Sequence, residues 1–437
     1  MSIFFGTDGI RGVVNKDLTY EVCYKCGNAL ATLNPNAKIL VGRDTRVTGS
    51  FVTLAFSVGC LIGGIDVVDV GIIPTAGIAY LTKKLNYDYG VVISASHNPP
   101  EHNGIKIFDN NGNKISDFQE DLIEKQFIKN SIVNGMYVGS YCQKHYLIKQ
   151  YINFLLKCGK SLKGLKVAID CSNGASFALA GKVFKKLGAK VYKINTKNNG
   201  KEINENCGAL YPNACAEVVL RYNCNIGFAF DGDSDRIIAI DEKGNIVDGD
   251  MVLFVLAKYF GEKGLLKNNC VVGTTMTNKG LECALNTMGI TLHRSDVGDK
   301  YVIEKMKEKQ CELGGEQSGH VIVGKYLNTG DGVLTGVVLA GIIAQLKKPL
   351  SKLTDVKLMP QCIINVSVLD KLRVLNSEFL KQQISLCENE LVDGRIVVRA
   401  SGTESKIRIM VEGKDEGQVK SVAERLEKVV QSIQVNK

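Results

Sequence analysis

A unit of strand, polar loop, helix, glycine-containing turn and second strand occurs three times in this chain. The three copies span residues 38–68, 166–192 and 270–292. Two strands that are joined through a crossover helix run parallel in the same sheet. The glycine after each predicted helix fits the left-handed position at which many helices end. The repeat therefore predicts three similar α/β domains with mixed, mostly parallel sheets that are covered by helices.

The segment after the third unit has a different pattern. Residues 347–359 include Pro349 and predict a linker, and residues 362–433 alternate between strand-like and helix-like stretches. This alternation indicates a smaller α+β domain at the C-terminal end of the chain. A length of 437 residues is by itself expected to form about three domains. We predict four domains, at residues 1–152, 153–253, 254–358 and 359–437.

Composition and charge exclude several classes of protein. The chain is 45% hydrophobic and 23% charged, which is typical of a soluble globular protein. Its net charge of +9 is spread along the sequence, whereas nucleic-acid binding favours a concentrated basic stripe, so we expect no nucleic-acid partner. The chain has no leader-like start, and its longest apolar run, 333–346, is shorter than a membrane span. We therefore expect a cytoplasmic protein with no membrane partner.

The fourteen cysteines do not form a convincing metal or disulfide pattern. Only Cys23 and Cys26 have the spacing of metal ligands, and both fall in a predicted helix with no second pair at a suitable distance. We expect reduced thiols that pack as small hydrophobic side chains. Of the five histidines, His145 and His293 lie outside every polar loop that carries chemistry.

An acidic hexapeptide between two apolar runs is the strongest chemical signal. Its sequence is Asp-Gly-Asp-Ser-Asp-Arg, so Asp231, Asp233 and Asp235 alternate. Three carboxylates this close repel one another unless a cation neutralises them, and oxygen ligands suit a hard ion such as Mg²⁺. The sixth position is Arg236 rather than glycine and the flanking runs predict strands, which excludes an EF-hand. The alternative is a solvated acidic turn.

Two polar loops in the first predicted domain contain residues suited to phosphate chemistry. Residues 94–99 follow a predicted strand and place Ser96 beside His97, which makes Ser96 a candidate nucleophile. Residues 6–12 combine three glycines and a hydroxyl with Arg11. Each loop taken alone is equally consistent with an ordinary turn.

Two further glycine-containing loops lie at 314–320 and 399–404. In the first, three polar side chains alternate and could project to one side, which suits hydrogen bonds to sugar hydroxyls. In the second, an arginine, two hydroxyls and a glycine suit a bound phosphate. The residues concerned are Glu316, Ser318 and His320 in the first loop, and Arg399, Ser401, Gly402 and Thr403 in the second. An ordinary turn is again the alternative for each loop.

Taken in order, these loops resemble the motifs of the α-D-phosphohexomutase superfamily, and the match extends to Lys106 in the segment Asn-Gly-Ile-Lys. The resemblance covers nearly the whole chain, with one set of motifs per predicted domain. Within the superfamily, Gly-Thr-Asp-Gly-Ile-Arg-Gly at 6–12 and Gly-Glu-Gln-Ser-Gly-His at 315–320 favour the bacterial branch that acts on glucosamine phosphates. The other branches more often have methionine where Gln317 stands.

The resemblance implies four domains around a central cleft and an isomerase reaction. Glucosamine 6-phosphate and glucosamine 1-phosphate, precursors of cell-wall UDP-sugars and peptidoglycan, would interconvert through a phosphoserine enzyme. A sugar 1,6-bisphosphate would be both primer and intermediate. Ser96 would carry the transferable phosphate, and one Mg²⁺ would be held by Ser96, Asp231, Asp233 and Asp235.

The resemblance also implies roles for the remaining loop residues. Lys106, His97 and His320 are candidates for the general acid and base, and Lys106 is favoured as base if its pKa is lowered. The residues expected to contact substrate are Arg11 and Arg236 at the reacting phosphate, Glu316 and Ser318 at the sugar, and Arg399, Ser401, Gly402 and Thr403 at the distal phosphate.

Four positions depart from the pattern of the superfamily. Ser234, in the acidic hexapeptide, stands where glycine is common in the superfamily. No metal ligand is required at that position. Ser405 and Lys406 replace a proline and an apolar residue, a change that could loosen the phosphate loop and add positive charge. Lys300 replaces the usual arginine, so a point charge stands where a bidentate fork is expected.

Two alternative functions and several partners follow from this interpretation. A phosphomannomutase or phosphoglucomutase would use the same mechanism on a sugar with a hydroxyl at carbon 2. A non-catalytic sugar-phosphate-binding or interaction protein would be expected to lack Ser96, Lys106 or an aspartate of the metal loop, and all of these are present. The expected partner is a small-molecule hexosamine phosphate. The branch is also compatible with a homodimer and with phosphorylation of Ser96 by an activating kinase or by the enzyme itself.

Overall fold

Four units, each built on its own β-sheet, make up the protein. The computed structural model describes residues 5–6, 8–129, 131–401 and 405–435. Among these residues the sheets contain seven, five, four and three strands in chain order. Helices accompany all four sheets, and the three-stranded sheet is wholly antiparallel. The predicted fold class, three α/β units and a smaller α+β unit, is confirmed.

The first unit contains the longest sheet. Its strands are β1 (Phe5–Gly6), β2 (Gly9–Val13), β3 (Lys38–Arg43), β4 (Asp66–Ile72), β5 (Tyr89–Ile93), β6 (His102–Phe108) and β7 (Tyr141–Gln143). Its helices are α1 (Tyr20–Leu33), α2 (Gly49–Ile62), α3 (Thr75–Lys84), α4 (Asp117–Lys129) and α5 (Ile148–Cys158). The strand order is β1-β2-β6-β5-β3-β4-β7.

The second and third units follow the same plan with fewer strands. The second has β8 (Lys166–Asp170), α6 (Ala180–Lys186), β9 (Lys190–Ile194), α7 (Asn213–Tyr222), β10 (Ile226–Phe230), β11 (Ile237–Ile240) and β12 (Ile246–Val247). The third has α8 (Gly249–Glu262), β13 (Cys270–Thr274), α9 (Lys279–Thr287), β14 (Thr291–Ser295), α10 (Asp299–Lys309), β15 (Leu313–Gly315), β16 (Val321–Val323) and α11 (Gly332–Leu346). The short helix α12 (Leu350–Leu353) lies in the predicted linker.

The fourth unit packs helices on a small antiparallel sheet. Its elements are β17 (Gln361–Ser367), α13 (Lys371–Leu375), α14 (Glu378–Glu390), β18 (Arg395–Ala400), β19 (Lys406–Glu412) and α15 (Glu416–Val435). The strand order is β17-β19-β18. Its apolar core is separate from the large core that the first three units share.

The three α/β units share one arrangement of four strands. The orders β4-β3-β5-β6, β9-β8-β10-β11 and β14-β13-β15-β16 are equivalent. In each, the first three strands run parallel, and the fourth returns antiparallel after a short loop. The turns after α2, α6 and α9 contain Gly64, Gly188 and Gly289 with φ of +84°, +104° and +70°. The repeat therefore specified both the crossovers and their glycine turns.

Helix α11 lies at the centre of the shared core. It is buried along most of its length and packs against α5, α8, β10 and β11. Asp331 caps its N-terminus by accepting a hydrogen bond from the backbone N–H of Leu334, and Gly332 N donates to Ser234 O over 3.0 Å. This helix therefore starts beside the acidic loop. Among the described residues, no helix combines the length and the apolar character that crossing a membrane requires.

One expectation about the cysteines is wrong. Cys270 and Cys311 form a disulfide with a Cα–Cα distance of 5.7 Å, whereas we expected only reduced thiols. The two residues are 41 positions apart in sequence, but the parallel pairing of β13 with β15 places them side by side. Cys23 and Cys26 are buried in α1, in the same apolar core as Cys60.

Candidate active site

Three equivalent loops converge on one site. Each follows the third strand of a four-stranded set: β5 leads into 94–99, β10 into 231–236 and β15 into 316–320. Ser96 Oγ donates a hydrogen bond to Asp231 Oδ2 over 2.7 Å, which joins the first two loops. An isolated bridge pairs Arg236 with His320 and joins the second to the third. The repeated topology thus brings residues from three units together.

The loop around Ser96 is held in a conformation that is unusual for serine. Ser96 is buried and has φ of +53°, in the left-handed region that disfavours residues with a Cβ. Its backbone N–H donates to Ser94 Oγ at 2.9 Å, and its carbonyl accepts from Asn204 Nδ2 at 2.8 Å. Backbone strain of this kind is kept only where surrounding contacts fix it, and it occurs mostly at functional sites.

Arg46 supplies most of those contacts, and our sequence analysis did not identify it. Its guanidinium donates to the carbonyls of Ser96 (3.0 Å), Asn98 (2.7 Å), Pro99 and His102 (2.9 Å). Burial of its charge is compensated by an ion pair with the carboxylate of Asp44 at 3.0 Å. The signal in the sequence was a pair of opposite charges in the polar loop that follows β3.

The aspartates of the acidic loop lie close enough together to hold a divalent cation. One carboxylate oxygen from each of Asp231, Asp233 and Asp235 lies within 4.8 Å of the others, and all three residues are buried. Asp233 Oδ1 and Asp235 Oδ1 are buried without a hydrogen-bond partner among the described residues. Burial and the two neighbouring carboxylates raise the pKa of Asp231 well above its usual range. Unpaired oxygens and uncompensated negative charge fit a hard metal ion.

Lys106 is the cation that faces this cluster in the structure. Its Nζ lies 2.7 Å from Asp233, 3.1 Å from Asp235 and 2.9 Å from Asp8. Burial alone would lower the pKa of Lys106, but these three carboxylates raise it well above its usual range. The side chains by themselves therefore hold Lys106 as an ammonium, the opposite of what a general base requires.

The two histidines of the site have opposite protonation tendencies. His97 Nδ1 lies 3.2 Å from Ser96 Oγ, and burial together with Arg236 and Arg11 lowers the pKa of His97 to about 3. Burial also lowers the pKa of His320, but the carboxylates of Asp235, Asp299 and Glu316 outweigh it and raise that pKa to about 9. His97 is therefore a neutral imidazole and His320 an imidazolium near neutral pH.

Arg11 and Arg236 each have guanidinium N–H groups available beside the acidic loop. The Nε atoms of both side chains are buried without a hydrogen-bond partner among the described residues. Arg11 forms an ion pair with Asp8, and the backbone N–H of Arg236 donates to Asp231 Oδ1 over 3.1 Å. Unsatisfied guanidinium donors of this kind suit the oxygens of a phosphoryl group.

The loop at 316–320 presents polar groups at the same site. Glu316 is buried, and one of its carboxylate oxygens accepts from Gly298 N over 3.0 Å, whereas Ser318 is exposed. Gln317, the residue that favours the glucosamine branch, donates from Nε2 to Gln361 Oε1 over 3.1 Å. Gln361 begins β17, so this loop also contacts the fourth unit.

The fourth unit contributes two arginines, Arg399 and Arg408, that are candidates for binding phosphate. Arg399 and Arg408 are directly opposite each other on β18 and β19, and the Nε of each is buried without a partner among the described residues. Burial, and then the charge of Arg408, lowers the pKa of Arg399, while Glu316 acts in the opposite direction. Ser401 is buried at the end of β18. Arg408, which our sequence analysis did not select, alternates with Lys406 along a strand. The predicted phosphate-binding residues Gly402 and Thr403 lie outside the described residues.

A chain of ion pairs that the sequence did not suggest links the first and third units. Lys114 contacts the carboxylate of Asp8 and lies 2.6 Å from Asp299 Oδ2. Asp8 in turn contacts Lys106, and Asp299 lies 3.8 Å from His320 Nε2. Lys114 therefore joins a carboxylate of the first unit to a carboxylate of the third.

Replacing Lys114 with methionine is expected to lower kcat/KM by about 10- to 100-fold, because small displacements of positioned groups have effects of this size. The substitution leaves the carboxylates of Asp8 and Asp299 without their shared cation. Lys114→Arg should retain much of the activity. Steady-state kinetics measure kcat/KM for each variant. The control is Lys84→Met, which changes an exposed lysine on α3. Full activity of the Lys114→Met enzyme would contradict a positioning role.

The structure shows the backbone conformation or the contacts of two residues that depart from the superfamily pattern, Ser234 and Lys300. Ser234 has φ of +59°, a backbone conformation that glycine adopts without strain, which explains why glycine is common there. Lys300 contacts Asp117 and lies 3.8 Å from Glu120, both on α4 of the first unit. In the described structure its ammonium is therefore engaged with carboxylates across the unit boundary.

This combination of a buried serine, an acidic cluster and clustered arginines on a four-unit fold suits phosphoryl transfer of the phosphohexomutase type. Four segments match the phosphoglucomutase/phosphomannomutase family: residues 2–133 its alpha/beta/alpha domain I, 149–244 its domain II, 248–359 its domain III and 363–429 its C-terminal domain. The chain belongs to this family.

Two curated relatives match this chain over nearly its full length. A protein of Clostridium botulinum (strain Loch Maree / Type A3) named phosphoglucosamine mutase is 43% identical over 445 residues, covering 99% of each chain. One of Clostridioides difficile (strain 630) with the same name is 42% identical over 444 residues, again covering 99% of each chain. Both relatives match this chain over nearly its whole length and theirs.

Solved structures share the fold. A phosphoglucomutase/phosphomannomutase family protein from Burkholderia thailandensis superimposes with a TM-score of 0.85 at 24% identity, covering 100% of this chain and 98% of that one. Aspergillus fumigatus N-acetylphosphoglucosamine mutase, solved in complex with GlcNAc-6P and magnesium, has a TM-score of 0.68 at 17% identity, covering 99% of this chain and 96% of that one.

Proposed function

We propose that this protein interconverts glucosamine 6-phosphate and glucosamine 1-phosphate through a phosphoserine at Ser96. The observation that carries the proposal is the 2.7 Å hydrogen bond from Ser96 Oγ to Asp231, which joins a strained, buried serine to a cluster of three aspartates. The choice of sugar rests on the full-length relatives, which are named phosphoglucosamine mutase.

The first half-reaction transfers the phosphoryl group from Ser96 to the sugar. The hydroxyl at carbon 1 of glucosamine 6-phosphate attacks phosphorus, the bond between phosphorus and Ser96 Oγ breaks, and Oγ regains a proton. The hydroxyl loses its proton to a general base, and glucosamine 1,6-bisphosphate forms. Arg11 and Arg236 would stabilise the phosphoryl oxygens through the N–H groups that have no partner among the described residues.

The second half-reaction requires the bisphosphate to turn around in the cleft. The phosphate at carbon 6 then faces Ser96 Oγ, which takes it and leaves glucosamine 1-phosphate. The site must therefore hold a non-reacting phosphate in either orientation. We assign this role to Arg399, Ser401, Gly402 and Thr403, supported by the adjacent half-buried side chains of Arg399 and Arg408, whose Nε atoms have no partner among the described residues. Glu316 and Ser318 would bind the sugar.

Lys106 is our candidate for the general base. Mg²⁺, which we place at Asp231, Asp233 and Asp235 with an oxygen carried by Ser96, would offset charge on the transferred phosphoryl group. Once Asp233 and Asp235 are neutralised, burial and the positive charge of Arg11 lower the pKa of Lys106, and only the carboxylate of Asp8, 2.9 Å away, still raises it among the influences named above. His320, whose pKa is raised to about 9, is the candidate acid that returns a proton.

The substrate preference is tested by kcat/KM for glucosamine 6-phosphate, mannose 6-phosphate and glucose 6-phosphate, with Mg²⁺ and a sugar bisphosphate primer. We expect the amino sugar to be preferred by about tenfold or more, since a site that pairs with a polar substituent discriminates strongly. A preference for mannose or glucose phosphate would keep the phosphoserine mechanism and make the protein a phosphomannomutase or phosphoglucomutase instead.

Before the first catalytic cycle, Ser96 must receive a phosphate from another molecule. A sugar 1,6-bisphosphate can supply it directly, and an activating kinase or self-phosphorylation are the other routes we propose. Intact-mass measurement after incubation with bisphosphate alone, or with nucleoside triphosphate alone, distinguishes these sources. Light scattering on the same samples measures whether the protein is the homodimer that we propose.

A further inference from the structure

A second cluster of metal-ligating side chains lies at the opposite end of the third sheet from the active-site loops. It consists of Cys270, His293 and Cys311, and we call it the Cys–His cluster. One ligand atom from each residue lies within 4.8 Å of the other two. Cys270 is the first residue of β13, whereas the strand ends that lead to the active site are at Thr274 and Gly315.

The sheet register brings these three residues together. His293 on the neighbouring strand β14 is opposite Val272, two residues after Cys270, so both side chains lie on the same face. Cys311 follows α10 and precedes β15, which pairs with β13 at Val272. The same face of the sheet is covered by α10, and the two cysteines are buried there.

We propose that the Cys–His cluster, when its two cysteines are reduced, binds Zn²⁺ or a chemically similar divalent metal. Two thiolates and one imidazole form a donor set that zinc favours and that the oxygen-only active-site cluster does not provide. Zn–S bonds of about 2.3 Å and Zn–N bonds of about 2.1 Å place tetrahedral ligand atoms roughly 3.5–3.8 Å apart. A set already within 4.8 Å needs only small side-chain rotations to reach this spacing.

The site also has an entry path and room for a fourth ligand. A cavity of about 310 Å³ opens beside it, and its lining includes Cys311, Lys307, Gln310 and Glu312. A predicted metal site requires such access, because the ion must reach its ligands from solvent. Water could complete a tetrahedral shell from this side.

The charges near His293 favour its metal-binding form. Partial burial, and then Lys309 and Lys305 on α10, lower the pKa of His293, while Glu308 acts in the opposite direction. A neutral imidazole is the form that binds metal.

Metal binding and the disulfide exclude each other. In the described structure the two sulfurs are bonded to each other. A dithiol reductant transfers two electrons and two protons, so the cluster disulfide becomes two thiols while the reductant becomes a disulfide. Binding of Zn²⁺ to both sulfurs then releases two protons. The cluster would therefore respond to both thiol redox state and metal supply.

Cobalt titration of the full-length protein tests this proposal. The protein is reduced with a dithiol, desalted without oxygen and kept in excess Mg²⁺ to occupy the aspartates, and Co²⁺ is then added. We expect one equivalent to produce sulfur-to-cobalt charge-transfer absorption that added Zn²⁺ removes. The oxidised protein should not produce it.

Variants identify the ligands. Cys311→Ser should abolish the charge-transfer absorption, and His293→Ala, on a half-buried edge strand, should weaken Co²⁺ binding by at least about tenfold. Cys283→Ser, which changes an exposed cysteine in the same unit, is the matched control and should bind normally. Circular dichroism checks that each variant is folded. Cobalt binding without sulfur absorption, or unchanged absorption in folded Cys311→Ser protein, would show that the cluster is a disulfide only and would overturn the proposal.

Discussion

Replacing Ser96 with alanine is expected to lower kcat by at least about 10³-fold, because it removes the atom that carries the phosphoryl group between the two half-reactions. The substitution deletes the hydrogen bond from Ser96 Oγ to Asp231 and the 3.2 Å contact with His97 Nδ1, and it leaves the backbone contacts from Arg46 and Asn204 in place. The free energy of unfolding should therefore change by no more than about 3 kcal/mol. Coupled kinetic assays and thermal unfolding measure the two effects.

Intact-mass measurement gives this prediction a second readout. The wild-type protein incubated with a sugar 1,6-bisphosphate should gain the mass of one phosphate, and the Ser96→Ala protein should gain none. Ser57→Ala is a matched control, since Ser57 is also buried in the first unit but donates only to Thr53 O in α2. An active, phosphorylated Ser96→Ala enzyme would contradict the proposed mechanism.

The sequence predicted the fold well because its repeat is a local pattern. Strand, helix and glycine turn follow one another within about thirty residues, so each crossover in residues 38–68, 166–192 and 270–292 could be recognised without knowledge of distant contacts. The acidic loop was recognisable for a similar reason, since its charges repel unless a cation is present. Its flanking strands are β10 and β11.

What the sequence did not reveal depends on contacts between distant segments. Arg46 stabilises the Ser96 loop from fifty residues away, and Lys114 connects Asp8 to Asp299 across two units. Neither arginine nor lysine is distinctive alone in a chain with 54 basic residues. The Cys270–Cys311 pair was missed because its proximity follows from strand pairing rather than from spacing.

Replacing Asp231 with asparagine is expected to lower kcat by about 10²–10³-fold and yet to stabilise the metal-free protein. Asparagine keeps the size and an acceptor for Ser96 Oγ but removes one of three neighbouring carboxylate charges. Loss of a metal ligand removes electrostatic stabilisation of the transferred group, for which effects of this size are typical. Kinetics in Mg²⁺ and unfolding temperatures in a chelator measure the two opposite changes.

The pH dependence of the stabilisation identifies its cause. The pKa of Asp231 is raised above its unfolded value, so below about pH 4 both states hold the proton and the two proteins should differ little. As pH rises from the unfolded-state pKa towards the folded-state pKa, the wild type loses stability because its unfolded state has released the proton that its folded state still holds, and the difference in Tm from the neutral variant should grow. Adding Mg²⁺ should raise Tm more for the wild type than for the variant, because only the wild type retains all three carboxylates.

The control is Asp121→Asn, which changes an exposed carboxylate on α4 and should show neither effect. A variant that is less stable than the wild type in chelator at every pH would mean that Asp231 holds the loop together through its hydrogen bonds rather than destabilising it through its charge.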